Sequence, residues 1–299
     1  MTEIAFIGIG KMGFPMARKL LNAGHSVRAF DVSDEAMSLA KQAGATGAAS
    51  VQEAVTGAEA VISIIPAGKD VRATYLGDDG VIATVDPGTL LIESSTTDLE
   101  TVDAIGAAAR EKGIDMVDAP VSGAILAAED GTLTFMVGGS DAAFARAQPI
   151  LDPMGANIHH AGPPGHGMRV KLCNNMMMAV SMINVSEGLM LGRRMGVDPQ
   201  KLWNILTKSS SRCWAMDTYC PFPGLTPAAP ANRDYEPGFT SDMMLKDLRL
   251  AQQAAQSVDA NTPLGAEAGA LYSMFVNGGD GTTDFSGIIK MIGLGADDD

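Results

Sequence analysis

Residues 3–23, EIAFIGIGKMGFPMARKLLNA, decide how the chain folds. Residues 3–8, EIAFIG, read as a short apolar strand, Gly8 to Gly13 fit the spacing G-x-G-x-x-G, and Lys11 to Ala23 read as a helix. The hexapeptide alone says little; a strand before it and a helix after it are what pyrophosphate binding requires. Gly8 permits the tight turn, Gly10 lets the backbone approach a phosphate, and Gly13 lets the helix pack close to the strand. The start of that helix, reached through Lys11 and Met12, then faces the phosphates with its amide groups. Asp31 closes the next apolar run, 18 residues past Gly13. A carboxylate there can accept hydrogen bonds from a ribose diol and repels a 2′-phosphate. Val32, Ser33, Asp34 and Glu35 supply no cation for such a phosphate, so NAD is expected over NADP. Arg28 argues the other way, but three residues back along a strand places it on the opposite face.

The same rhythm runs through the first 160 residues. Apolar runs at 3–8, 26–31, 59–65, 89–94 and 114–120 alternate with helix-like segments at 11–23, 34–43, 68–77 and 98–112. That alternation predicts βαβ units and a doubly wound parallel sheet of Rossmann type, buried on both faces. Residues 133–139, 141–152 and 156–162 read as an added edge region. From Gly165 the pattern is helical: one long helix over 166–195, another over 198–208 opened by Asp198 and Pro199, then 241–257, 263–276 and 285–292. A loop with Pro221, Pro223, Pro227, Pro230 and Pro237 interrupts them. The expected organisation is an α/β nucleotide-binding domain over 1–163 and an all-helical substrate and oligomerisation domain over 164–299, joined by the long helix. The Asp297-Asp298-Asp299 end reads as a solvated tail.

Composition limits the partners. With 46% hydrophobic and 19% charged residues, the 299-residue chain is globular in composition. A net charge of −14 disfavours nucleic acid, which needs a basic face. Three cysteines without a CxxC pair, and an apolar strand directly after Met1-Thr2, predict a reduced, cytoplasmic protein without a secretory leader. The most apolar stretch, 172–186, holds three asparagines and is too short to span a bilayer. His159 and His160 alternate faces on a strand and cannot share an ion, so no metal is expected.

Strand ends after the first should line the cofactor crevice, which draws in Pro66, Ser95 and Thr96. The turn APVSGA, 119–124, offers a hydroxyl and backbone amides suited to a carboxylate. At the start of the long helix, GHGMRVKLCNN (165–175) places Lys171 and Asn175 one turn apart on one face. A lysine near a helix start is most often a solvated charge. At the junction of two domains, with an amide beside it and a nucleotide fold before it, a proton-transfer role outweighs that reading. The many methionines of this helix (Met176, Met177, Met178, Met182, Met190, Met195) read as packing surface, buried between the domains and against a second subunit. Cys213, beside Trp214, reads as an inert buried thiol, since no base partner is identifiable.

DAPVSG, GTLTFMVGG and VKLCNN, together with the N-terminal fingerprint, resemble the β-hydroxyacid dehydrogenase family over nearly the whole chain. SSSRCWAMDTYCPFPG (209–224), the GF of 238–239, KDLRLA (246–251) and DFS (284–286) narrow the resemblance to one branch. The resemblance implies Lys171 as catalyst and Ser122, Gly123, Asn175 and Lys246 as substrate contacts. It adds Thr96, Phe239, Lys246 and Asp247 to the cofactor side. It also implies NAD-dependent oxidation of 3-hydroxyisobutyrate to methylmalonate semialdehyde, a step of valine breakdown, by a homodimer or homotetramer. One departure stands out: the family usually has a second glycine where this chain has Ala124, which bears on substrate preference. Two other readings compete. One is a related enzyme, a tartronate semialdehyde reductase or a serine-oxidising dehydrogenase. The other is a nucleotide-binding scaffold without activity, which would have no need of Lys171 and Asn175.

Overall fold

The computed structural model describes residues 1–294; the tail Asp297-Asp298-Asp299 lies outside the described residues. The chain divides into two compact units, Met1–Lys171 and the remainder from Leu172.

The first unit is built on one sheet. Its strands are β1 (Glu3–Ile7), β2 (Ser26–Phe30), β3 (Thr46–Gly47), β4 (Ala60–Ser63), β5 (Leu90–Glu93) and β6 (Asp115–Asp118), followed by β7 (Val121–Ser122), β8 (Leu133–Gly138) and β9 (Gly155–Gly162). The first six pair in the order β3-β2-β1-β4-β5-β6, all parallel. The order reverses between β1 and β4, which opens a crevice at their carboxyl ends. The edge region departs from the parallel pattern: β8 runs antiparallel to β6 and to β7, and β9 is parallel to β8.

Alternation along the central strands fills both faces. Ile4 and Phe6 of β1 enter one apolar layer with Met16 and Leu20 of α1 (Gly13–Asn22). Ala5 and Ile7 enter the other, with Val71 and Tyr75 of α4 (Gly68–Leu76) and Ile105 and Ala109 of α6 (Leu99–Glu111). Burial on both faces is why these strands read as unbroken apolar runs. Side-chain caps fix several helix starts: Ser33 on α2 (Asp34–Gln42), Asp98 on α6 and Ser140 on α8 (Asp141–Leu151). Short pieces that no periodicity announces complete the unit: α3 (Val51–Val55), α5 (Val81–Thr84) and α7 (Ala124–Asp130).

The second unit is helical, as the sequence predicts. The long helix α9 (His166–Arg194) starts in the first unit and continues into the second. There α10 (Pro199–Leu206), α11 (Trp214–Asp217), α12 (Ser241–Ser257), α13 (Pro263–Phe275) and α14 (Ile288–Ile292) accompany it. Asp198 caps α10 through the Lys201 amide, with Pro199 at the first helical position. The predicted last helix splits into a 3-10 turn, Phe285–Gly287, and α14. Met182 of α9 packs with Leu248, Tyr272 and Phe285 in the main core, and Met190 joins Tyr235 and Ile289. Met177 and Met195, by contrast, are 65% and 67% exposed on the single chain. No helix among the described residues is long and apolar enough to cross a membrane.

Candidate active site

The turn after β1 is shaped by backbone contact. Gly8 has φ +93°, and a methyl there would lie 2.3 Å from the Ile64 carbonyl oxygen. A methyl on Gly13 would lie 1.8 Å from the Gly8 carbonyl oxygen. Gly10 is the opposite case, since nothing lies within 4 Å of where its Cβ would stand. Two glycines thus close the turn on the protein, and the middle one leaves an open approach. No side chain among the described residues caps the start of α1, where Met12 holds the cap position. An uncapped helix start beside an open glycine fits a pyrophosphate, which accepts hydrogen bonds from the first-turn amides.

Asp31 anchors this turn. Its Oδ2 accepts a hydrogen bond from the Ile9 amide at 2.6 Å and its Oδ1 one from the Ser33 amide at 2.8 Å. An ionised carboxylate can accept about four hydrogen bonds, so capacity for a ribose diol remains. Arg28 is turned elsewhere: its guanidinium donates to the carbonyls of Glu53, Ala54 and Thr56 at the end of α3. A guanidinium neutralising a helix C-terminus is spent there and does not serve a 2′-phosphate beside Asp31.

Beyond the reversal point, the strand ends are stitched by polar groups. Pro66 is exposed and Thr96 half-buried, whereas Ser95 is buried. The Ser95 hydroxyl accepts from the Ile65 amide at 2.8 Å, and its own amide donates to Glu93 Oε1 at 2.8 Å. Ser95 therefore ties the end of β4 to that of β5. Sequence reasoning missed Glu93, which is fully buried, with Ser63 and Tyr75 hydrogen-bonded to each other at its side. Burial pushes the Glu93 carboxyl up to about 7, and the nearby Asp118 adds to the rise. One local signal exists for it: a carboxylate inside the apolar run TLLIES.

Asp118, at the end of β6, is buried and pushed up to about 6 by burial. Its Oδ1 accepts from the Gly165 amide at 2.6 Å and its Oδ2 from the Met168 amide at 2.7 Å, at the start of α9. Three residues past Asp118, the Val121 carbonyl accepts a 2.7 Å hydrogen bond from Lys171 Nζ. Lys171 is only 7% exposed, so it is not the solvated charge that a lysine near a helix start usually is. Ser122 and Gly123 follow at the join of β7 and α7. Gly123 has φ +129°, and Ala124 takes the left-handed φ of +58° that favours glycine. The alanine that departs from the family pattern therefore keeps a glycine-like backbone, at a strain of about 1 kcal/mol.

In the helical unit, Asn175 and Asp247 are each 1% exposed, and Asn175 Nδ2 donates to Asp247 Oδ2 at 2.5 Å. The Lys246 ammonium lies 3.2 Å from Asp247 Oδ1. This joins α9 to α12 through three residues singled out from the sequence. Phe239 packs edge-on against Phe285, and its amide donates to the buried Asp284 carboxylate. Asp284 also accepts from Gly238, Tyr219 and Ser286, a hub that sequence reasoning missed. Trp214 is 43% exposed and stacks on Tyr219. Of the cysteines, Cys220 is buried and its thiol pushed up to about 11, while Cys213 is half-buried. Among the described residues, no three His, Cys, Asp or Glu side chains gather as metal ligands.

A doubly wound sheet with an open glycine turn marks a dinucleotide-binding domain, and comparison with known proteins narrows it to the nicotinamide-dependent dehydrogenases. The profile described as the NAD binding domain of 6-phosphogluconate dehydrogenase matches residues 3–162. The profile described as NAD-binding of NADP-dependent 3-hydroxyisobutyrate dehydrogenase matches 165–292. A 3-hydroxyisobutyrate dehydrogenase of Pseudomonas aeruginosa is 48% identical, covering 92% of each chain. An NAD-dependent L-serine dehydrogenase of the same organism is 46% identical over 97% of this chain and 98% of its own. The structure of Mycobacterium tuberculosis 3-hydroxyisobutyrate dehydrogenase with L-serine superposes with a TM-score of 0.92 at 41% identity, covering 98% of this chain and 99% of that one. The chain belongs to the 3-hydroxyisobutyrate dehydrogenase family of β-hydroxyacid dehydrogenases, and it is an oxidoreductase using a nicotinamide cofactor.

Proposed function

We propose that the protein oxidises 3-hydroxyisobutyrate to methylmalonate semialdehyde with NAD, as a step of valine breakdown in the cytoplasm. The observation that carries the reading is the buried Lys171, whose ammonium is fixed 2.7 Å from the Val121 carbonyl beside the Ser122-Gly123 turn. A bound nicotinamide would supply the acceptor for the hydride that leaves the alcohol carbon. Lys171 first releases a proton to solvent; as the neutral amine it takes up the hydroxyl proton while the hydride leaves, and the ammonium so formed steadies the negative charge developing on the oxygen. Ser122 and the Gly123 amide hold the carboxylate, Asn175 orients the hydroxyl, and Lys246 with Asp247 complete the site. Gly8, Gly10, Lys11, Met12, Gly13 and Asp31 hold the dinucleotide, with Pro66, Ser95, Thr96 and Phe239 toward the nicotinamide. The choice of NAD rests on the Asp31 carboxylate at the end of β2 and on Arg28 being held at α3. Exposed Met177 and Leu191 on α9, with Met195 just past its end, support assembly as a homodimer or homotetramer.

L-Serine is the second candidate substrate. It is favoured by the L-serine dehydrogenase among the relatives and by the L-serine that accompanies the Mycobacterium tuberculosis structure. Both substrates are short 3-hydroxy acids, differing at the carbon between carboxylate and alcohol. Steady-state formation of NADH from 3-hydroxyisobutyrate, L-serine and glycerate, with NADP as the control cofactor, separates the readings. The highest kcat/KM is expected for 3-hydroxyisobutyrate with NAD. A higher value for serine moves the substrate and keeps the chemistry, whereas turnover of neither contradicts the reading.

A further inference from the structure

The segment leading into α9 is Gly162-Pro163-Pro164-Gly165, and none of these residues has a side chain able to accept a hydrogen bond. A helix start leaves its first amides without partners inside the helix, and an adjacent Ser, Thr, Asp or Asn commonly supplies one. Here the acceptor comes from 47 and 50 residues earlier, as Asp118 takes the Gly165 and Met168 amides on its two oxygens. The neighbouring backbone is cut to fit this contact. A methyl on Gly138 of β8 would lie 2.4 Å from Asp118 Oδ1, and one on Gly167 would lie 2.2 Å from the Met136 carbonyl oxygen.

Two short spans leave this clamp and meet again. On the sheet side the chain runs three residues from Asp118 to Val121; on the helix side it runs three from Met168 to Lys171. The Lys171–Val121 hydrogen bond closes the far end. A lysine carries its ammonium on a flexible four-carbon stem, so its accuracy depends on where the helix starts and on what holds the tip. We propose that Asp118 is a positioning residue for the reaction, clamping the first turn of α9 to the end of β6 so that Lys171 is held at the Val121 carbonyl. The inference rests on the reading of Lys171 as the proton-transfer group. A carboxylate suits the task because both oxygens accept, whereas asparagine would set an NH2 group against one of the two amides.

The test uses the full-length protein with Asp118→Asn, Asp118→Ala and Lys171→Ala assayed together. The readouts are kcat, the dissociation constant for NADH, and hydrogen exchange at the Met168 amide. Asp118→Asn keeps one acceptor and should lower kcat about 10-fold, and Asp118→Ala on the order of 100-fold, as ångström-scale misplacement does. Met168 should exchange faster in step, with NADH affinity held within about 2-fold because the glycine turn lies elsewhere on the sheet. Faster exchange at Met168 with kcat unchanged makes Asp118 a helix cap only and overturns the proposal. A fall in kcat without a change in exchange, or one matched by loss of NADH binding, overturns it too. Should Asp118→Ala fail to fold, Asp118→Asn decides by the same criteria. Wild-type turnover by Lys171→Ala is a distinct outcome that removes the role of the lysine itself.

Discussion

Two strand-to-helix turns in the first unit, Gly8–Gly13 and Ser122–Ala124, use glycine in different ways. In the first, the protein's own backbone sits where a side chain would go, at Gly8 and Gly13, and Gly10 stands open. In the second, Gly123 is followed by an alanine that accepts a positive φ. Each turn has a nearby carboxylate. Asp31 is half-buried and binds the Ile9 amide, whereas Asp118 is buried and holds the start of α9. The contrast separates a turn pressed on backbone at both of its closed glycines from one pressed only on a side chain at Gly123, where a methyl would lie 2.5 Å from the Ala127 Cβ, and tolerant of strain at Ala124. It also separates a partly solvated carboxylate from one whose charge is costly.

The sharpest break of this comparison is at Gly13. Gly13→Ala should destabilise the protein by more than about 3 kcal/mol, because the methyl meets a backbone oxygen that cannot swing away. Gly10→Ala should leave stability within about 1 kcal/mol and weaken NADH binding instead. Thermal unfolding and a fluorescence titration of NADH report both.

Two buried carboxyls of the first unit share one direction of pH dependence. Glu93 rises from its ordinary 4.5 to about 7 and Asp118 from 3.8 to about 6, so the folded protein keeps protons that the unfolded chain releases. Stability from both groups is fully present below the unfolded values and declines as pH rises through the folded ones. For Glu93 the decline from pH 4.5 to above 7 is on the order of 3 kcal/mol. Denaturant unfolding across that range should show the wild-type curve falling relative to Glu93→Gln by about this amount. Parallel curves would contradict a buried protonated carboxyl.

Smaller effects refine the picture. Asp31→Ala should weaken NAD binding by about 10-fold, the loss of a charge-assisted hydrogen bond, and narrow the preference over NADP. Ala124→Gly relieves about 1 kcal/mol of left-handed strain while adding a similar backbone entropy cost. Its stability should therefore stay within about 1 kcal/mol of wild type, and its effect should fall on substrate KM. A large stability change at 124 would erase the distinction between the two turns.

What is legible in the sequence follows the range of each interaction. Five of the six parallel strands show as apolar runs, because a buried sheet fills them with apolar residues, and the glycine turn is written in six consecutive residues; β3, only Thr46–Gly47, leaves no such mark. The short elements α3, α5, β7 and α7 lack the length to show a period. Asp118 stands inside the motif DAPVSG yet carries no sign of its task, because its partners lie 47 and 50 residues on and leave no local pattern. Asn175 is found by helical spacing from Lys171, but its bond to Asp247 spans 72 residues and is visible only in the fold. Arg28, ambiguous beside Asp31 in the sequence, is explained by carbonyls at the end of a helix too short to anticipate.

The most direct measurement compares wild type with Lys171→Ala in NAD-dependent oxidation of 3-hydroxyisobutyrate, with NADH binding measured on the same samples. The expected result is a fall in kcat of about 100-fold to 10,000-fold with NADH affinity preserved, as loss of a proton-transfer group gives. Undiminished turnover in Lys171→Ala would contradict the central claim that the buried lysine at the Val121 carbonyl carries the chemistry.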